Sequence, residues 1–131
     1  MTTLNSQEVI SEVETVERGG LLYHQDTNKP VTGVVEEFYY NGQLQVRTNF
    51  IDGERDGLWE IFYKTGQLSS RGNYKDGKEE GLWESFYENG QLEWRDNYKD
   101  GKLDGLWEVF DQDGNLTRTK EYKDGVLHRS R

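Results

Sequence analysis

The sequence predicts an all-β protein, an elongated single twisted antiparallel sheet of stacked β-hairpins. The first observation is an unbroken repeat of 24 residues, whose four copies open at Gly33, Gly57, Gly81 and Gly105. The second is that each copy holds two runs of about seven residues rich in aromatic side chains, which favour strands over helices. The third is that glycine turns separate these runs so closely that little room remains for a helix.

The repeat divides the chain into an N-terminal acidic arm or cap over 1–19 and a repeat domain over 20–131. Its copies span 33–56, 57–80, 81–104 and 105–128. Three apolar columns keep the same register, namely Phe38, Phe62, Phe86 and Phe110; Leu44, Leu68, Leu92 and Leu116; and Phe50, Tyr74, Tyr98 and Tyr122. Such columns are typical of repeats that bury apolar side chains against their neighbours.

The N-terminal segment has two interpretations. Val9, Val13 and Val16 fall at helical spacing, and Asn5 with Glu8 matches a capping box, so a short amphipathic helix is one of them. Because β-branched residues disfavour helices, a flexible acidic arm is the other.

The lead-in over 20–32 is a divergent unit. Residues 21–23 read Leu-Leu-Tyr and predict a strand, and residues 28–30 read Asn-Lys-Pro and predict a turn. A terminal unit that differs from its neighbours is expected to protect the outer edge of the sheet from other chains.

The hairpin turn fixes the predicted register. A two-residue type I′ turn would require φ > 0 at Thr65, which a β-branched residue resists. We therefore predict a type I turn followed by a glycine bulge at Gly66. In that register Trp59 faces Arg71 across the hairpin, and the third copy has the same pairing. The alternative register would pair Glu60 with Arg71.

This register predicts which columns share a face. One face is expected to carry the Leu, Phe and Tyr columns. The other is expected to carry tryptophans and turn tyrosines, interleaved with arginines and acidic residues; these aromatic residues are Trp59, Trp83, Trp107, Tyr39, Tyr63 and Tyr87. Eight or nine strands would give a sheet roughly 35 to 40 Å long, measured across the strands. Since one sheet cannot bury two aromatic faces, one face is either curled by twist or held for a partner.

Charge narrows the class of partner. The chain has a net charge of -9 and a pI of about 4.7. Nucleic acids and anionic membranes are disfavoured, because they bind clustered Lys and Arg. A protein with a basic surface is favoured on the same electrostatic ground. No apolar run has the length of a membrane span or a signal-peptide core, so we expect a cytoplasmic protein.

The residues that carry chemistry are few. The chain has no Cys, and its two His residues, His24 and His128, lie at opposite ends of the array. We expect no catalytic residues, no metal site and no cofactor. A glutamate column recurs at a separation compatible with paired carboxylates, but it repeats along the array and marks no single site; its members are Glu36, Glu60, Glu84 and Glu108.

The tryptophan column is the best candidate for partner binding, although aromatic ladders that hold hairpins together explain it equally well. Trp94 breaks the repeat symmetry, since its equivalents are Val46, Ser70 and Arg118. A large aromatic residue without equivalents is a candidate hot spot. The predicted partner-binding residues are Trp59, Tyr63, Trp83, Tyr87, Glu93, Trp94, Asp96 and Trp107.

The unit Gly-x-Trp-Glu-x-[Phe/Tyr]-Tyr-x-Asn-Gly-Gln-Leu, followed by Tyr-x-Asp-Gly-Lys-x-x-Gly, resembles the MORN repeat variant over 21–127. The resemblance implies a twisted sheet of stacked hairpins. It also implies a bacterial antitoxin or immunity protein that binds and neutralises a cognate toxin. The alternative is a structural or scaffolding MORN-type module without a toxin partner. The fourth copy departs from the pattern at Asp111 and Thr119, where its siblings have Tyr and Arg.

Overall fold

The structure is a computed structural model that describes residues 8–130. These residues form strands and one 3₁₀ turn over Glu12–Glu14. The strands are β1 (Val9–Ser11), β2 (Thr15–Arg18), β3 (Leu21–His24), β4 (Gly33–Phe38), β5 (Leu44–Ile51), β6 (Glu54–Phe62), β7 (Leu68–Lys75), β8 (Lys78–Phe86), β9 (Leu92–Lys99), β10 (Lys102–Leu103), β11 (Gly105–Phe110), β12 (Leu116–Lys123) and β13 (Val126–Ser130).

Eleven of these strands form one sheet in the order β1-β4-β5-β6-β7-β8-β9-β11-β12-β13, with β10 also paired to β9. The hairpins β4–β5, β6–β7, β8–β9 and β11–β12 are units one to four, and successive units pair antiparallel. The all-β hairpin array is therefore confirmed. The predicted eight or nine strands was too low, because β1, β10 and β13 also join the sheet.

Residues 9–18 of the N-terminal segment form β1, the 3₁₀ turn and β2, and β1 packs against unit one. β1 pairs parallel with β4, and Ile10 joins a buried cluster with Val31, Val35 and Phe50. The helical interpretation is wrong for residues 9–18, since β-branched side chains fit an extended backbone better. Asn5 of the proposed capping box lies outside the described residues.

The lead-in contains the predicted strand, which is β3. It pairs with β2 to form a separate two-stranded sheet. The Leu22 N–H donates to the Gly53 carbonyl at 3.0 Å, and the Gly53 N–H donates to the Val31 carbonyl at 2.8 Å. These bonds fasten the lead-in to unit one.

The predicted hairpin turn is confirmed. In unit two the Gly66 N–H donates to the Tyr63 carbonyl at 2.9 Å, and the Tyr63 N–H donates to the Gln67 carbonyl at 2.8 Å. Gly66 has φ +95°, and Thr65 does not adopt positive φ. The turns between units differ, because both central residues are left-handed there, as at Asp76 (φ +51°) and Gly77 (φ +82°). That is the type I′ geometry for which Asp-Gly is preferred.

The predicted register is wrong, because each hairpin has a second bulge beyond the turn. In unit two Phe62 faces Leu68, but Ile61 faces Ser70, so Ser69 is an extra residue. Glu60 therefore faces Arg71, and Trp59 faces Gly72. Equivalent bulges occur in the other units, at Gln45, Glu93 and Thr117. The extra residue is left unpaired and shifts the register by one.

A one-residue shift moves every later side chain of the strand to the opposite face. The face assignment is therefore wrong for two columns. Tyr74 and Tyr98 pack on Trp83, with ring centroids at 5.1 and 5.9 Å. Arg71 instead shares a face with Glu84 and lies over the Phe86 ring. We call the first surface the Trp face (Trp59, Trp83, Trp107, Tyr74, Tyr98) and the second the Arg face (Arg47, Arg71, Arg95 with their Glu and Phe neighbours).

Trp83 lies within the best-packed part of the Trp face and depends on the absence of a side chain at Gly72. A Cβ at that position would lie 2.1 Å from the Trp83 ring. Trp83 is only 7% exposed. Gly72 is not in the left-handed region, so close approach is the reason for a glycine here.

We predict that Gly72→Ala lowers the free energy of unfolding by about 1–3 kcal/mol, because the added methyl group overpacks against the indole. Urea denaturation of both proteins measures this. Trp83→Leu in the Gly72→Ala background should recover part of the loss, since it removes the clashing ring. If Gly72→Ala costs the same with Trp83 and with Leu at that position, steric contact is not the cause.

Candidate functional site

Trp83 anchors an aromatic cluster on the Trp face. Its ring lies 5.0 Å from the Trp59 ring at an interplanar angle of 34°. Its Nε1–H donates to the Asn73 carbonyl at 3.2 Å. Because its ring packs on Trp59 and its Nε1–H is hydrogen-bonded within the chain, Trp83 is a core residue that joins units two and three. The ladder interpretation of the tryptophan column applies to this pair.

Trp107 has a different neighbour. The Lys120 Nζ lies 4.8 Å from the centroid of its ring, which is cation–π geometry. Trp107 is half-buried, as is Trp59. Both therefore keep surface that a partner can contact.

Tyr63 and Tyr87 connect successive units through their hydroxyl groups. Tyr63 Oη donates to the Phe86 carbonyl at 2.5 Å, and Tyr87 Oη donates to the Phe110 carbonyl at 2.7 Å. Tyr39 repeats the contact to Phe62 at 2.7 Å. These side chains are half-buried, and their polar ends are used within the sheet.

The departure of the fourth copy at this position has a structural explanation. Asp111 replaces the tyrosine and accepts hydrogen bonds from the backbone N–H groups of Asp113 and Asn115, both at 2.9 Å. These bonds lower the pKa of the Asp111 carboxyl. The side chain thus caps its own turn instead of reaching a following unit.

We predict that Tyr63→Phe lowers the free energy of unfolding by about 1 kcal/mol, because it leaves the Phe86 carbonyl without its donor. Chemical denaturation provides the measurement. The matched control is Tyr40→Phe, since Tyr40 is fully exposed at the adjacent turn. Equal effects of the two substitutions would contradict a structural role for the Tyr63 hydroxyl.

Trp94 and Glu93 lie next to each other at the bulge of unit three. Trp94 is half-buried on β9, where it faces Ser85 on one side and Val109 on the other. Glu93 is the extra residue of the bulge and is also half-buried. On the neighbouring strand β11, the partner of Trp94 is Val109, which lies two residues from Trp107.

Asp96 is the most unusual residue of the predicted set. It faces Trp83 across the hairpin, is only 6% exposed, and its Oδ1 has no hydrogen-bond partner among residues 8–130. Burial raises the pKa of its carboxyl to about 6, and the charge of Glu79 adds to the rise. Sequence reasoning included Asp96 as a neighbour of Trp94 and did not foresee its burial.

The raised pKa has a defined effect on stability. Because the folded carboxyl binds its proton more tightly than the unfolded one, Asp96 costs stability above pH 6, and the cost disappears as the pH falls toward 4. Between pH 7.5 and 4.5 we expect wild type to gain about 2 kcal/mol relative to Asp96→Asn, which cannot titrate.

Urea denaturation of both proteins at the two pH values measures this difference. Asp113→Asn removes the same charge from an exposed turn and should follow wild type. Parallel pH dependence of wild type and Asp96→Asn would contradict the assignment.

The Arg face carries a row of alternating charges that crosses unit boundaries, whereas the alternative register predicted arginine–glutamate pairs only within a hairpin. The arginines of units one to three bond to glutamates of the next unit, with N–O distances of 2.7–2.9 Å, and the pairs are Arg47–Glu60, Arg71–Glu84 and Arg95–Glu108. Each guanidinium also lies 5.5–5.7 Å from a phenylalanine ring of the next unit, and these rings belong to Phe62, Phe86 and Phe110. The arginines and glutamates each recur every 24 residues, and this period is the sequence signal from which the row could have been predicted.

The glutamates of this row are the ones whose spacing is compatible with a catalytic pair of carboxylates. Glu36 also contacts Arg47, at 3.4 Å, so every member of the glutamate column has an arginine partner. Thr119 follows Glu108 on the next strand and ends the row. Three leucines beside the row are 40–47% exposed, namely Leu58, Leu82 and Leu106.

Two other features are absent from the described part of the chain, a metal-binding cluster and a membrane-spanning helix. Over residues 8–130 no cluster of three or more His, Asp or Glu side chains has the arrangement of a metal site. The same residues include no helix with the length and apolarity needed to cross a membrane.

The fold defines a class of repeat proteins that stack antiparallel hairpins into one sheet. The MORN repeat variant model matches residues 31–52, 55–76, 79–100 and 103–124, which is more than half of the chain. The chain belongs to the MORN repeat variant family.

A comparison with solved structures found the crystal structure of TarM, with 14% sequence identity and a TM-score of 0.40. The aligned region covers 86% of this chain and 21% of that one. No curated protein matched the sequence.

Proposed function

We propose that this chain is a non-catalytic protein-binding module that acts as a bacterial antitoxin or immunity protein in the cytoplasm. It would bind a cognate toxin with a basic surface and block it. The observation that carries the proposal is an open repeat sheet with a net charge of -9 and exposed apolar side chains in register. Such a surface suits a large partner with complementary charge.

Two features support a non-catalytic role. The glutamates that could have formed a carboxylate pair are engaged by arginines. His24 and His128 lie at opposite ends of the array, on β3 and β13, so they cannot act together. No cofactor is part of the proposal.

The proposed contact surface is the exposed part of the predicted set. Glu93 and Trp94 lie at the bulge of unit three, Trp107 lies on the strand that pairs with theirs, and each retains exposure. Trp83 and Asp96 are buried and would act by shaping this surface. Half-buried aromatic residues surrounded by polar side chains are typical of binding hot spots.

The toxin assignment rests on the family resemblance. The alternative is a scaffold without a toxin partner. The regular column of Leu58, Leu82 and Leu106 favours it, because evenly spaced apolar side chains also suit a repetitive partner such as a filament.

We predict that affinity capture from the native host recovers one basic protein, whose binding weakens as salt rises from low to moderate concentration. Mass spectrometry identifies the protein, and its toxicity is then tested with and without this chain. Trp94→Ala should weaken capture at least about tenfold, as expected for a hot spot.

Tyr40→Ala is the matched control, since it removes an exposed aromatic residue from a distant turn. Recovery of cytoskeletal or envelope components, or of this chain alone, would exclude the toxin and favour the scaffold. Capture of a toxin that is unaffected by Trp94→Ala would remove that residue from the surface.

A further inference from the structure

A second row crosses the Trp face near the Asp-Gly turns, and it alternates aromatic and non-aromatic residues. Arg55 faces Phe50, Glu79 faces Tyr74, and Leu103 faces Tyr98. The repeat makes these three pairs equivalent. Each intervening side chain therefore occupies the same place between the aromatic residues of two successive units.

In unit two this place holds a cation. The Arg55 Cζ lies 5.9 Å from the centroid of the Phe50 ring and 5.7 Å from that of the Tyr74 ring. The guanidinium thus contacts one aromatic ring from each side. The chain itself shows which chemical group this environment accepts.

In unit three the equivalent place between Tyr74 and Tyr98 holds Glu79 instead. Asp96 lies two residues from Tyr98 on the same strand, buried and with its Oδ1 unpartnered. Over residues 8–130 neither carboxylate has a basic group within 4 Å in an ion pair. The Glu79 carboxylate therefore lies where the preceding unit has a cation, and the Asp96 carboxylate adds a second negative charge from the strand that carries Tyr98.

The repeat does not require these carboxylates. The equivalents of Asp96 are Thr48, Gly72 and Lys120, and none of them is acidic. A buried, unpaired carboxylate costs stability, so the third unit retains an unfavourable group that its siblings lack. Such groups are characteristic of binding sites.

We propose that Tyr74, Glu79, Asp96 and Tyr98 form a site for a guanidinium group, supplied by an arginine side chain of the protein partner. The proposal rests on the proposed function, which calls for a basic partner. Glu79 is half-buried and would accept hydrogen bonds from the guanidinium directly, while Asp96 supplies a second negative charge from the interior. The two tyrosine rings would take the roles that Phe50 and Tyr74 have around Arg55.

An arginine fits this environment better than a lysine. Its planar group can contact aromatic rings while it donates to a carboxylate, and it is less strongly hydrated than an ammonium group. In unit four the same place is taken by Leu103, which is neither cationic nor anionic. The site therefore occurs once along the described part of the array.

The test is a titration of the full chain with acetyl-tetra-arginine amide at low salt. Binding is measured by NMR, from the shifts of the tryptophan indole N–H signals. Tetra-citrulline amide, which has nearly the same shape without charge, is the matched peptide. We expect Glu79→Gln and Asp96→Asn each to weaken tetra-arginine binding by about fivefold or more, as for the loss of a charge-assisted contact. We also expect the Trp83 indole signal to shift, because its ring contacts both tyrosines.

Glu88→Gln is the matched charge control, since Glu88 is exposed at the hairpin turn of the same unit. Its effect should stay below about twofold, the size expected for an exposed charge. Equal weakening by Glu79→Gln and Glu88→Gln would show that the peptide responds only to the overall acidity of the chain. Equal binding of tetra-citrulline would show that the shape of the peptide, and not its charge, determines binding. Either result would overturn the site. Circular dichroism confirms that each variant is folded.

A second variant tests the site from the opposite direction. Glu79→Arg restores the pattern of unit two and places a guanidinium beside Asp96, so it should abolish tetra-arginine binding and raise the melting temperature. Failure of this variant to block the peptide would contradict the proposal.

The outcomes separate the site from the proposed function. Site-specific peptide binding without a captured partner would support the site and leave the toxin role unsupported. A captured basic partner that binds Glu79→Gln as tightly as wild type would support the function and overturn the site.

Discussion

The structure depends on contacts between successive hairpins, because a single sheet has no second layer against which to bury itself. An isolated hairpin is marginal in water, so each unit must be completed by its neighbour. The same groups do this along the array. The tyrosine hydroxyl reaches the next backbone carbonyl, the arginine reaches the next glutamate, and the tryptophan rings of units two and three stack. Each of these bonds crosses a unit boundary.

The first and fourth units differ from the middle units in what lies beside them: β1 beside β4 of unit one, and β13 beside β12 of unit four. At the beginning, β1 pairs with β4 and Ile10 closes a small apolar cluster. In unit four, the side chains that would reach forward are replaced. Asp111 bonds within its own turn, and Thr119 stands where earlier units have the arginine that bonds forward. Both departures remove side-chain contacts that the earlier copies make to the next unit.

The sequence was sufficient for the repeat array and for its hairpin turns. The period fixed the hairpin array, and the conflict between Thr65 and positive φ identified the turn at Gly66 correctly. Register was different, because the bulge residues Gln45, Ser69, Glu93 and Thr117 share no chemical property that marks them. That single extra residue reversed the face of Arg71, which is why tryptophan and arginine were wrongly placed together.

The candidate site likewise has features that the sequence indicates and features that only the folded structure shows. Trp94 was selected because it breaks the repeat, and Asp96 was included as its neighbour; their role in binding stays a prediction. The burial of Asp96 opposite Trp83 depends on tertiary packing, which no local pattern encodes. Gly72 did carry a usable signal, since a glycine within a strand often marks a close approach, here by Trp83.

The bulge after each turn also limits how such a protein can evolve. Deleting Ser69 would turn Arg71 and its neighbours toward the Trp face and bring buried residues into water, whereas adding a complete copy of 24 residues preserves every face and every bond between units. Insertions and deletions are therefore tolerated when they add or remove a whole copy, and not when they add or remove one residue of a hairpin. A lineage can lengthen or shorten its sheet to match a changing partner while the rules that fold each copy stay the same.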